Sequence, residues 1–168
     1  MRRMAATFLG LAAMMACASD AISAPVDRGV VKLPEGRLLL VAGNEDGAVL
    51  IGLDNMIRKG SEAVVLVYRV FEPARALDSG VTISEEAEVQ RFDCDAQSYQ
   101  SLGASEYNAA GEEVLWMEEE PVKPVQPRTM TSRVASVVCG QVKLPPGNIA
   151  KDRATAKAMV AQALQATH

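Results

Sequence analysis

The sequence predicts an α+β domain, an antiparallel β-sheet of about five to six strands packed against a C-terminal helix and held by one disulfide. Three observations predict it. Short β-branched and aromatic segments between residues 38 and 117 are separated by clusters of Gly, Pro, Asn and Asp. A single late segment, 152–166, carries its apolar residues at helical spacing instead. Two cysteines, Cys94 and Cys139, lie behind an export signal, and an oxidising compartment converts such a pair to a disulfide.

The export signal comes first. Met1-Arg2-Arg3-Met4 is basic, and 8–16 is an apolar run too short to cross a bilayer as a mature helix. Small residues follow at Ala16, Ala18, Ala21 and Ala24. The expected organisation is a signal peptide over 1–24, cleaved near 17–24, and a single domain over 25–168. Cleavage after Ala18 or Ala21 gives a soluble form, whereas cleavage after Ala24 places Pro25 behind the scissile bond. The competing route is lipoprotein processing with lipidation of Cys17, although Met14 stands where Leu is usual.

Residues 25–36 form a Pro/Gly-punctuated lead-in. Strands are expected over 38–42 and 49–53, with Gly43-Asn44-Glu45-Asp46-Gly47 as the turn between them. A turn or single helical turn covers 54–60. The segment 63–71 is the strongest strand; its nearly continuous apolarity fits a central position covered on both faces, and Pro73 is expected to end it. A polar crossover should occupy 74–86. Residues 88–94 alternate, with Val89 and Phe92 as inward anchors, and 97–102 is their hairpin partner. Ala109-Ala110-Gly111 turns into a strand over 113–117. Pro121, Pro124 and Pro127 exclude a central strand there. Residues 132–139 stay open between strand and helix, because Val134, Val137 and Val138 fit a helical face while β-branching favours a strand. In the last segment Ala156, Met159, Val160, Ala163 and Leu164 form one helical face, with Asn148 or Asp152 as its cap.

Removing the leader leaves about 145 residues, enough for one ordinary domain with a real core. The net charge of −4 becomes about −5 without the leader, and Lys and Arg are not clustered, which argues against nucleic acid as a partner. The acidic runs Glu85-Glu86-Ala87-Glu88 and Glu118-Glu119-Glu120 have the chemistry to bind a cation or a basic partner, but solvated edges and loops are the expected setting for such runs.

Cys94 and Cys139 lack a Cys-x-x-Cys spacing or a nearby base, so a structural disulfide is expected over redox use, with free thiols as the remaining reading. Around these residues the chain resembles the bacterial surface-adhesin protein E family, over about residues 49–140. The resemblance rests on Asp54 ahead of Ile57-Arg58-Lys59-Gly60, on Tyr68-Arg69-Val70-Phe71, and on Phe92-Asp93-Cys94. It continues through Tyr99, Tyr107 and Gly111 to Pro127 and Val137-Val138-Cys139. The chain departs from the pattern at Pro127-Arg128-Thr129 and in its helix beyond Cys139. The resemblance implies an antiparallel sheet packed against helix, an envelope or surface location, and binding rather than catalysis. Some members bind host matrix proteins or haem, but no ligand-contacting residue carries over to this chain.

The only histidine, His168, is the last residue, which removes the held imidazole that Ser-His-Asp and Cys-His nucleophiles require, and His/Cys zinc sites with it. No phosphate-binding glycine loop is present. Asp93 and Asp95 alternate about Cys94 and are the candidate carboxylate pair, and Met117, Tyr107 and His168 are the residues able to ligate a haem. The expectation is therefore an exported, non-catalytic envelope protein, periplasmic or at the cell surface, that binds an unidentified protein or peptide partner. No cofactor is expected, and membrane contact only if Cys17 is lipidated. A periplasmic small-molecule carrier, which needs an apolar cavity, and a carboxylate-dependent hydrolase are the alternatives.

Overall fold

The computed structural model describes residues 30–165, so the leader, Cys17 and His168 lie outside the described residues. The elements are β1 (Leu38–Asn44), β2 (Gly47–Gly52), β3 (Ile57–Lys59), β4 (Glu62–Ala76), β5 (Thr82–Asp93), β6 (Ser98–Tyr107), β7 (Glu113–Met117), β8 (Lys123–Pro124), α1 (Met130–Val138), β9 (Ile149–Ala150) and α2 (Arg153–Gln165). One sheet contains all nine strands in the order β7-β6-β5-β4-β2-β1-β9, with β3 paired to β4 and β8 to β6. Every pairing is antiparallel. Six strands of five residues or more form the expected framework. The other three, β3, β8 and β9, are ladders of two or three residues, too short to leave a pattern in the sequence.

β4 is central and covered on both faces. Val65 and Val67 point to one face, Tyr68 and Val70 to the other, and all four are buried. It does not end at Pro73. The β4–β5 register breaks between Val70 and Arg75 and resumes at Arg75 opposite Ile83. Pro73 falls within the break, where no ladder hydrogen bond is needed from it. The expected crossover at 74–86 is thus a long hairpin, its tip closed by the Leu77 N–H donating to the Val81 carbonyl at 2.8 Å and Gly80 in the left-handed region.

Residues 132–138 are helical, and Cys139 is the C-cap. Thr129 caps α1: its Oγ1 accepts from the Ser132 N–H at 3.1 Å, and the Thr129 N–H donates to Ser132 Oγ at 3.1 Å. Val134 and Val138 then bury against Leu39, Val49, Ile51, Val65, Val67 and Phe92. That burial outweighs the modest helical cost of β-branching. Helix α2 covers the opposite face, burying Ala156 and Val160 against Leu38, Leu50 and Tyr68, while Ala163 is exposed. Asp152 Oδ1 caps it, accepting from the Thr155 N–H at 2.7 Å, and Asn148 turns instead to the Leu40 carbonyl. The expected anchors Val89 and Phe92 both pack inward, on opposite faces of the sheet, since their spacing is odd.

The disulfide Cys94–Cys139 joins the end of β5 to the C-cap of α1, with Cα atoms 5.6 Å apart. Its loop contains β6, β7, β8 and α1. Beneath α2, Glu85 is fully buried and accepts from Tyr68 Oη at 2.5 Å, Lys157 Nζ at 2.7 Å and Arg153 Nε at 2.9 Å. Burial and then Glu85 itself push the Tyr68 phenol well above its ordinary pKa, so it stays a donor.

Candidate functional site

The α1 face of the sheet divides into two halves. Under α1 it is apolar. Towards β7 the same alternation delivers charge: Arg69 of β4 stands opposite Glu86 of β5, Glu86 opposite Glu106 of β6, and Glu106 opposite Leu115 of β7. The adjacent row runs Val67, Glu88, Ala104, Met117. Glu86 and Glu106 are thus like charges facing each other across a strand pair, an arrangement that destabilises a sheet unless something compensates it.

The compensation is incomplete. The Arg69 Nη1 bonds both Glu86 Oε1 and Glu88 Oε2, the latter at 2.6 Å. Arg75 Nη2 bonds Glu106 Oε1 and its guanidinium lies 4.9 Å from the Phe71 ring centroid. Glu106 is only 2% exposed, and its Oε2 has no hydrogen-bond partner among the described residues. Further along β5, opposite Ser101, the buried Gln90 also leaves its Oε1 without a partner among the described residues. A buried acceptor without a donor costs about 1–3 kcal/mol. Burial, together with Glu88 and Glu106, raises the Glu86 pKa despite Arg69. Burial opposes the Arg69 cation, yet Glu86 and Glu88 outweigh it and raise its pKa.

Arg75, Glu86, Glu88 and Glu106 line an open recess of about 690 Å³, with Arg69 behind Glu86 and Glu88. Glu86, Glu88, Glu106, Glu118 and Glu120 supply carboxylates; Leu77, Ala104, Leu115 and Met117 supply apolar wall. Lys123 stands over Glu120 at 2.6 Å. Five carboxylates face Arg69, Arg75 and Lys123, a formal excess of two negative charges. The carboxylates are spread along the wall: among the described residues no three acidic, Cys or His side chains are placed to hold a metal ion. Beside the recess lies β7, the terminal strand of the sheet order, with Leu115 41% and Trp116 42% exposed.

The residues singled out from sequence are dispersed. Asp93 and Asp95 form no converging pair: Asp93 Oδ1 accepts from the Asp95 and Ala96 N–H groups, each at 3.0 Å, closing the β5–β6 turn. Asp93 lines a separate cavity of about 180 Å³ beside Cys94 and Cys139. Met117 is in the acidic recess, whereas Tyr107 is buried on the other face, donating to the Val31 carbonyl at 2.5 Å. The run Glu118, Glu119, Glu120 is exposed as expected. The run at 85–88 is not a solvated edge: Glu85, Glu86 and Glu88 are buried because β5 is an interior strand. Sequence reading missed this site. The available signal was the period-two series Glu86, Glu88, Gln90, together with an arginine inside an apolar strand. A third recess, about 430 Å³, lies between the β1–β2 hairpin and α2, with Leu40, Ala48 and Val160 in its wall.

No protein-family model matches the sequence, and no curated protein matches it.

Proposed function

We propose that this chain is an exported, non-catalytic envelope domain, like the surface-adhesin E proteins it resembles, that binds a protein or peptide partner along β7. The observation that carries this reading is a terminal strand that no other described strand covers, with exposed Leu115 and Trp116, beside a recess rich in carboxylates. A partner strand added to such an edge gains main-chain hydrogen bonds, and alternate side chains read the flanking surface. An export signal expected from the sequence, together with the disulfide, supports a location in the periplasm or at the cell surface.

The test replaces Trp116 with a photo-crosslinking residue in the full-length protein expressed in its own cells, with the exposed Val142 as the control position. A discrete crosslinked product from position 116 and none from 142 is expected. Identical products at both positions, or none at 116, would overturn the assignment. A carrier role draws instead on the apolar recess beside α2, and predicts that a hydrophobic probe is displaced from it by envelope extract.

A further inference from the structure

We infer that the recess between β5, β6 and β7 is a receptor for an alkyl-ammonium or guanidinium group, supplied by a lysine or arginine of an extended peptide on β7. The inference deepens the proposed binding role and rests on it for the source of the cation.

Four observations support the chemistry. The recess has an excess of negative charge that its own cations do not cancel. Its innermost carboxylate, Glu106, is buried, and its Oε2 has no donor among the described residues. An incoming N–H donor would fill that vacancy, and charge-assisted hydrogen bonds of this kind are the strong ones. The walls at Leu77, Leu115 and Met117 are apolar, which suits the methylene stem that lysine and arginine carry behind their charged heads. The dispersed carboxylates fit a multi-donor organic cation better than a bare metal ion, which needs its ligands converged on one point.

Geometry also ties the recess to the strand edge. Leu115 and Met117 alternate with Trp116, so the strand that lines the recess also presents its neighbour to the opposite face. A peptide strand paired to β7 points every second side chain to the recess side. A basic residue at those positions reaches Glu118 and Glu120 at the rim first and Glu106 deeper in. Arg75, half exposed and bonded to Glu106 Oε1, can turn towards solvent as the new cation enters.

Calorimetric titration of the disulfide-bonded mature protein tests this with three probes: a blocked Val-Lys-Val-Lys-Val peptide, the same peptide with norleucine for lysine, and cadaverine as a free diamine. The lysine peptide should bind, with the norleucine peptide weaker by about tenfold or more, the scale of one charge-assisted contact. Glu106→Gln should weaken the lysine peptide by a similar factor and leave the norleucine peptide unchanged. Glu118→Gln, an exposed position with no folding risk, should weaken it by a smaller factor. Equal binding of the two peptides, unaffected by both substitutions, overturns the cation site and leaves the β7 edge reading standing. Binding of cadaverine alone, lost in Glu106→Gln, supports the cation site and sinks the peptide reading. No binding of any probe overturns both.

Discussion

Glu86 shares one guanidinium with Glu88 and faces Glu106 across the ladder. Its carboxyl therefore titrates above the ordinary value of 4.5, burial being the main cause. A raised carboxyl pKa means that the folded protein holds this proton to higher pH than the unfolded chain. Its contribution to stability is complete below about pH 4.5 and is lost as pH rises through the raised value. Glu86→Gln removes that loss. In urea titrations the stability difference between variant and parent should be constant below about pH 4.5 and move in the variant's favour as pH rises above it through the raised Glu86 value. A difference that does not change with pH would contradict the assignment. Gly47 makes the second prediction. It has φ +136°, and a Cβ there would meet the Val70 carbonyl oxygen at 2.0 Å. Gly47→Ala must strain the backbone and separate β2 from β4, so a cost of about 1–3 kcal/mol or more is expected in thermal or urea unfolding.

At the scale of elements, α2 is held by apolar contacts and by one buried charge. Ala156 and Val160 are small, so the helix contributes limited apolar area. Glu85 adds ionic contacts to Arg153 and Lys157 one helical turn apart. Removing one partner of a buried ion pair is more destabilising than the pair is stabilising. Arg153 and Lys157 are about one third exposed and can rehydrate, so Glu85→Gln should cost about 3 kcal/mol, the lower end for such changes. Amide hydrogen exchange in α2 should accelerate more than in α1, because the two helices lie on opposite faces of the sheet. Equal acceleration in both would show that Glu85 supports the whole sheet rather than one docked helix.

For the molecule as a whole, the disulfide restrains the half that carries the recess. The loop it closes spans 45 residues, and closing it in the unfolded chain is worth about 4 kcal/mol. A domain stability of about 5–15 kcal/mol makes that a large share. The double substitution Cys94→Ser, Cys139→Ser should lower the urea midpoint accordingly, and reductant should do the same to the parent but not to the variant. Because β6, β7 and α1 all lie inside the loop, loss of lysine-peptide binding should accompany loss of protection in these elements. Retention of binding and midpoint after reduction would show that strand pairing alone orders the recess.

Local pattern determined the antiparallel sheet, the strong central strand at 63–71, the C-terminal helix and the cysteine pair. Each is written in residues close together in sequence or, for the cysteines, in their number and in the absence of a Cys-x-x-Cys spacing. Over 132–138 the β-branched residues oppose the apolar spacing, so local sequence leaves strand and helix open, and burial against Phe92 and its neighbours decides for the helix. The site was hidden for a different reason. Glu86, Glu88 and Glu106 read as ordinary surface acids until the ladder order put β5 and β6 inside the sheet. Alternation says that side chains share a face; only tertiary pairing says whether that face meets water, a helix or another carboxylate.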